Sequence, residues 1–395
     1  MQGISILFLT LMFVISLHFR KRSDTKEGYF VSSRKLGSIT LSFTIAATTI
    51  GGSAIVVSLK LIEKYGVTGI LMDIAGGIGL IILSLTMAKK VRETGAITLP
   101  SILRKSLGKN EYKVISIALI IAEVCWIALS FKGIQIIGRF SNFNLAVISI
   151  LILTYSLIGG QWAVSKTDIV QFLFVVFGLI FYILNPGKKL AVCLKSPDLS
   201  LFYLSTLMLL SHIIGPDIYS KILSAKDPNT AKKGVFLSGL LKIIFAILLI
   251  LAFKNGFSTS NVNLFVFIVV FSAIVSSIDS MLITSTSIIC EDIFEKTGNI
   301  VIKLTTVFIA LLSFMLAVYT KKILTLVSSG YTVLLVTITF PVLSYFIFRR
   351  INFYSYLVPL SAFLIAFIFT KNMGIAFFFS LFGGGLNIVY TKIYS

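Results

Sequence analysis

Thr44-Ile45-Ala46-Ala47-Thr48-Thr49-Ile50-Gly51-Gly52-Ser53 lies in the middle of an apolar run that extends from residue 38 to residue 60. A run of about 20 residues is enough to cross a bilayer as a helix. The centre of this one is nevertheless built of hydroxyls and glycines. Glycine costs roughly 1 kcal/mol against alanine inside a helix, and a polar group at membrane depth must find a partner. Two readings follow. Small residues let two helices pack closely, or the helix is interrupted here and the carbonyl oxygens released by the break hold a cation or a solute.

Outward from this stretch the chain supplies a membrane setting. Its 395 residues are 57% hydrophobic with a mean hydropathy of +1.00, and only 13% are charged, against about 25% in soluble domains. That excludes a soluble enzyme, a disordered chain and a coiled coil. Thirteen runs have spanning length and hydropathy, near 2–19, 38–60, 67–88, 114–131, 142–160, 167–185, 199–218, 234–253, 262–289, 302–320, 323–348, 354–370 and 373–391. The expected fold class is therefore an all-α polytopic membrane protein with about 13 transmembrane helices. The seventh run is the weakest, because Ser, His, Gly and Pro interrupt it. The hydrophilic stretches 20–37, 89–113 and 219–233 are too short to fold alone.

Charge orients the spans. The first run has no basic residue before it and no small-residue cleavage site, and Arg20-Lys21-Arg22 follows it, which reads as a retained span with its N-terminus outside. Alternating the loops places 23 of the 35 Lys and Arg residues on one side and 11 on the other, with Lys242 inside a span. The richer side is cytoplasmic by the positive-inside rule. The expectation is a multi-pass protein of the cell's inner (plasma) membrane with a cytoplasmic C-terminus. The net charge of +20 then belongs to membrane topology and needs no nucleic acid partner. Two His, at 18 and 212, and three scattered Cys, at 125, 193 and 290, supply no clustered ligand set for haem, copper or zinc, and no disulfide framework.

Two further runs are polar at depth. In the ninth, Ser272-Ala273-Ile274-Val275-Ser276-Ser277-Ile278-Asp279-Ser280 is followed by Thr284 and Ser287, so Ser276, Ser280, Thr284 and Ser287 share one helical face. Adjacent hydroxyls suit a small hard cation, or each bonds its own backbone one turn back. Asp279 cannot stay unpaired in lipid without a cost of several kcal/mol. In the seventh, Ser211-His212-Ile213-Ile214-Gly215-Pro216-Asp217 is either a disrupted helix or the cytoplasmic end of one. Asp73 and Glu123 also fall in spans, without an assigned role.

Taken together these segments resemble the sodium/solute symporter family, which includes the sodium/proline and sodium/galactose symporters. The resemblance covers roughly residues 28–300. It starts with Tyr29-Phe30-Val31-Ser32-Ser33-Arg34-Lys35-Leu36-Gly37, runs through Ala47-Thr48-Thr49-Ile50-Gly51-Gly52 to Tyr65-Gly66, and is most specific at Thr154-Tyr155-Ser156-Leu157-Ile158-Gly159-Gly160-Gln161-Trp162-Ala163-Val164 with Thr167-Asp168 and Gln171. Pro216 to Lys221, Ala225-Lys226-Asp227, Ser276-Ser277-Ile278-Asp279-Ser280 and Glu291-Asp292-Ile293 complete it. The last spans match by hydropathy only.

The resemblance implies a five-plus-five inverted-repeat transporter core in which the first helix of each repeat is broken. It divides the chain into 1–37 (peripheral first helix and linker), 38–185 and 186–348 (the two repeats), and 349–395 (two peripheral helices). It implies sodium bound by the carbonyls of Ala47, Ile50 and Ala273 with the hydroxyls of Ser276 and Ser277. Asp168 and Asp279 fall on the cation side, Asp168 beside the inner sodium exit, and Arg34 matches a basic residue linked to gating. Solute contacts are expected at Thr48, Thr49, Gly51, Ser211 and His212. There are departures. Thr49 stands where the sodium/proline symporter has an acid, and the second break, placed near Met208 to His212, lacks the family's glycines and tryptophan.

The implied activity is sodium-coupled symport of a small organic solute into the cytoplasm by alternating access, with sodium as a co-transported ligand and no cofactor. The expected partners are the solute and the lipid bilayer, without nucleic acid. The alternatives are a non-transporting sensor of solute or sodium, and a proton-coupled symporter of the same fold. The small, polar break residues with one imidazole favour a small zwitterion or carboxylate over a bulky sugar.

Overall fold

The computed structural model describes residues 1–104, 106–107, 109–187, 189–259, 262–295, 298–320, 323–348, 351 and 354–394, and within its helices the side chains at 52–53, 109–110, 323–331, 333–334, 337, 356 and 390–394 are outside the description. Of the charges used to orient the spans, Lys105, Lys188, Lys296, Lys321, Lys322, Arg349 and Arg350 lie outside the described residues, as do the side chains of Lys109 and Lys392.

The described chain is helical, with two isolated β-bridges between loops. In order, the helices are α1 (Gln2–Phe19), α2 (Lys26–Val31), α3 (Ser38–Thr49), α4 (Gly52–Tyr65), α5 (Leu71–Thr86), α6 (Ala88–Glu93), α7 (Leu99–Leu103), α8 (Lys109–Gly138), α9 (Asn142–Leu184), α10 (Leu199–Ile214), α11 (Pro216–Leu223), α12 (Pro228–Lys254), α13 (Leu264–Ile288), α14 (Asn299–Tyr319), α15 (Ile323–Phe348), α16 (Tyr354–Thr370) and α17 (Met373–Tyr394). Among the described residues eight helices are long and apolar enough to cross a membrane, and α3 with α4 forms a ninth span bent by 59°.

Two of the expected spans are continuous. α9 has 43 residues, about 65 Å of helix at 1.5 Å per residue and twice the thickness of a hydrocarbon core. Gly160 divides it with φ +49° and ψ −153°, a backbone that favours glycine. An added Cβ would sit 2.8 Å from both the ring and the carbonyl oxygen of Tyr29. The expected loop between the runs 142–160 and 167–185 is thus a single kinked residue, pressed against the linker helix α2.

The seventh span also differs from expectation. α10 stays helical through Met208 and His212, and the break falls at Gly215, which is extended (φ −61°, ψ 124°). Pro216 explains the position. Its ring disfavours the helical conformation for the residue before it, and its missing N–H costs nothing at the first position of α11. The span then continues to Leu223, beyond the end expected at 218.

The broken spans pack reciprocally. α5 packs against α10, and α12 packs against α3. α13 runs through the centre, touching α3, α4, α8, α9 and α11. Every residue from Val269 to Ile288 is buried. Large apolar side chains such as Leu7, Phe143, Ile300, Phe308 and Phe369 face outward, the arrangement a lipid environment stabilises. Charged residues at depth, among them Asp73, Asp168, Lys221, Lys242 and Asp279, are buried where helix meets helix.

Candidate functional site: the helix break between α3 and α4

α3 ends at Thr49 and α4 begins at Gly52, so the break falls where hydroxyls and glycines interrupt the apolar run. The last carbonyls of α3 lose their helical partners there, and α13 meets them. Ser276 Oγ donates to the Ala47 carbonyl at 3.0 Å and to its own helix at Ala273, 3.1 Å. Ser277 Oγ donates to the Thr48 carbonyl at 3.1 Å and lies 3.4 Å from the Ala273 carbonyl. All of these residues are buried. Gly51 permits the approach, since a Cβ there would fall 2.1 Å from Ser277 Oγ. Of the five residues expected to hold sodium, Ala47, Ala273, Ser276 and Ser277 meet directly. Ile50 caps α3 beside them, and among the described residues the serines bond the carbonyls of Ala47, Thr48 and Ala273 rather than that of Ile50. The arrangement gathers hard oxygen atoms of the kind that small cations prefer.

The five residues expected to touch solute line one cavity. Thr48, Thr49, Gly51, Ser211 and His212 share it with Trp126, Met208, Asp217 and Met281. Thr48 Oγ1 lies 3.0 Å from Ser280 Oγ of α13, and Thr49 Oγ1 donates back to Ile45 at 2.9 Å. His212 Nδ1 lies 2.9 Å from the Met208 carbonyl and 3.1 Å from Ser211 Oγ. The cavity holds about 60 Å³, whereas ligand sites usually measure about 300–1,000 Å³, so a solute needs the surrounding helices to move apart.

Below the cation-side oxygens lies a buried ion pair. Lys221 Nζ of α11 is 2.7 Å from Asp168 Oδ2 of α9 and 2.7 Å from Thr44 Oγ1 of α3, and the Thr44 hydroxyl also donates to Asp168. The sequence reading put Lys221 in a cytoplasmic loop. That expectation is overturned, because α11 continues the seventh span and carries Lys221 inward to 1% exposure. Asp279 is fully buried and accepts a hydrogen bond of 2.6 Å from the Tyr155 hydroxyl of the first half of α9.

Both ends of the chamber are tied shut. On the Arg34 side, its guanidinium donates to the carbonyls of Gly95, Ala96 and Leu223 at 2.6, 3.1 and 3.3 Å, and Leu36 bridges Ala225. At the opposite ends of the same broken spans, the Tyr65 hydroxyl donates to Asp198 Oδ2 at 2.6 Å and Gly66 bridges Leu194. Tyr65 and the Leu201 N–H hold the Asp198 carboxyl below the usual carboxylate range.

Sequence reasoning missed Lys221, Lys242, Trp126 and Asp217 as members of the site. A signal existed for Lys242, since a cation buried in a span requires an acid in another span, and Asp73 and Asp168 were available.

Residues 29–191 match the Sodium:solute symporter family. Over these residues, about two fifths of its length, the chain is similar to that family. The matched segment carries the broken α3–α4 span and Asp168, and ends before α10, whereas the motif reading extended to about residue 300. Curated relatives include the high-affinity choline transporter 1 of Torpedo marmorata, 25% identical over 60% of this chain and 45% of that one. The human high affinity choline transporter 1 is 29% identical over 40% of this chain and 28% of that one. The matched region thus spans less than half the length of these relatives. Among solved structures, the substrate-bound outward-open state of a Na+-coupled sialic acid symporter aligns with a TM-score of 0.80 at 15% identity, covering 98% of this chain and 95% of the other. Mhp1, a nucleobase-cation-symport-1 family transporter in a closed conformation, aligns with a TM-score of 0.62 at 13% identity over 94% and 95%. The likeness shows the fold, the five-plus-five inverted-repeat core read from the motifs.

Proposed function

We propose that this chain is a sodium-coupled symporter that brings a small organic solute across the membrane by alternating access. The carrying observation is the meeting of the Ser276 and Ser277 hydroxyls with the carbonyls of Ala47, Thr48 and Ala273 at the α3–α4 break. An ion coordinated there ties α13 to the broken span and so favours one arrangement of the two over others. We assign sodium to Ala47, Ile50, Ala273, Ser276 and Ser277. We assign solute contact to Thr48, Thr49, Gly51, Ser211 and His212, whose shared cavity adjoins those oxygens. Arg34 acts as a latch on the cytoplasmic side, and Asp168 and Asp279 hold charge along the ion's inward path. The repeats are 38–185 and 186–348, a division that the reciprocal packing of α5 on α10 and of α12 on α3 supports. The setting is the plasma membrane, N-terminus outside and C-terminus inside.

The solute we favour carries an amine or quaternary ammonium group. Asp217 supplies a carboxylate to the cavity wall and Trp126 an aromatic one, the two groups that recognise such cations. The curated relatives are choline transporters by name, which agrees with this choice. It also revises the zwitterion-or-carboxylate expectation, which gives Asp217, within a disrupted helix or at a helix end, no part in solute contact.

The test is binding of radioactive sodium to the purified protein. Saturable binding is expected in wild type and at least a tenfold loss of affinity in both Ser276→Ala and Ser277→Ala. A well-folded wild type that binds no sodium would sink the proposal in favour of proton coupling or a sensor.

A further inference from the structure

A fixed positive charge stands on the other side of the helix break. Lys242 of α12 is wholly buried. Its Nζ donates to the Thr49 carbonyl, the last of α3, at 2.5 Å and lies 3.6 Å from Asp73 Oδ1 of α5. Asp73 is itself wholly buried, and its Oδ2 accepts a hydrogen bond of 2.5 Å from Ser58 of α4. One ammonium therefore joins both halves of the broken span to α5 and α12. Space is cut for it: a Cβ on Gly76, one turn along α5 from Asp73, would fall 2.6 Å from Lys242 Cε and 3.3 Å from His212 Cε1. The same Thr49 and His212 line the solute cavity.

The oxygens around this ammonium are a cation's donor set. The Thr49 carbonyl sits at the negative end of α3, and the Asp73 carboxylate adds a full charge from the facing helix. Three successive residues are divided between two sites. The carbonyls of Ala47 and Thr48 face the serines of α13, while that of Thr49 faces α12. A buried ammonium without these partners is strongly disfavoured in the low-dielectric interior. A buried carboxylate stripped of its ammonium would recruit another cation.

We propose that Lys242 is a resident cation occupying a second ion site, formed by the Thr49 carbonyl and the Asp73 carboxylate on the chamber side of the break. The lysine thereby fixes the number of sodium ions bound at one per chain. The inference rests on the sodium-symport reading of the same chamber. A mobile ion at this place would be bound and released in each cycle. A tethered ammonium stays, so this second site keeps the same charge while the chamber is loaded and while it is empty.

The experiment is the stoichiometry and concentration dependence of radioactive sodium binding to the purified full chain, with folding scored by gel filtration in sodium. Wild type is expected to bind one sodium per chain. Lys242→Met is expected to bind two, the second lost on adding Asp73→Asn, so that the doubly neutral variant returns to one. Two ions per wild-type chain would overturn the inference without any variant. So would a Lys242→Met protein that binds one ion with wild-type affinity, or one that fails to fold even in high sodium while the doubly neutral variant folds. A wild type that binds none would instead remove the symport reading and this inference with it.

Discussion

The Lys221–Asp168 pair allows a calculation from geometry. The charges are 2.7 Å apart and at most 1% exposed. With an effective dielectric constant of about 20 their attraction is about 6 kcal/mol, most of it consumed by taking both groups out of water. Removing one partner strands the other. Asp168→Asn leaves an ammonium facing only neutral acceptors, the amide oxygen and the Thr44 hydroxyl, and Lys221→Met leaves a carboxylate with that same hydroxyl. Each single change is expected to cost about 3–5 kcal/mol, while the double variant loses both charges together and falls within about 1 kcal/mol of wild type. A double-mutant cycle on reversible unfolding in mixed micelles, followed by intrinsic fluorescence, measures this directly, and the coupling should reach at least about 3 kcal/mol. Two single variants that each cost under about 1 kcal/mol, or a double variant that loses the sum of the two, would refute the claim that the pair is charged and desolvated together.

Two more outcomes follow from particular atoms. Gly51→Ala places a methyl where Ser277 Oγ now sits, so the hydroxyl must rotate away from the Thr48 carbonyl; sodium affinity should fall about as far as in Ser277→Ala, and a variant with wild-type affinity would show that the break is more pliable than its packing implies. Asp198→Asn tests the tie between the ends of the two broken spans. A carboxylate whose pKa is lower folded than unfolded contributes stability above its unfolded value, near about 3.9, and loses it as pH falls through the folded one. The thermal stability that wild type holds over Asp198→Asn should therefore be full at pH 7 and vanish in the acid range below about pH 4, and a gap that persists there would assign the effect to packing.

The sequence determined most of what depends on neighbours along the chain. Hydropathy alone finds the apolar runs, because a bilayer demands about 20 apolar residues whatever lies beside them, but it does not fix where each span ends. The first break was legible at Thr48 to Gly51, since a helix weakened by adjacent glycines opens locally. The second was misplaced by counting, although Pro216 marked it, because the restriction acts on the residue just before a proline. The Gly160 kink showed only as part of a motif. Its cause is the linker helix against which it packs.

The tertiary structure decided the pairings. Nothing local tells Lys221 from a loop lysine, or shows that Lys242 meets Asp73 and Thr49, for these residues sit on different helices and meet only when the spans pack. The family resemblance supplied the expectation that Ser276 and Ser277 are cation ligands. It gave neither Lys221 nor Lys242 a role, which the packing does. Which carbonyls face the serines of α13 and which faces an ammonium is fixed by the directions in which three successive carbonyls leave one broken helix, and those directions exist only once α12 and α13 pack against it.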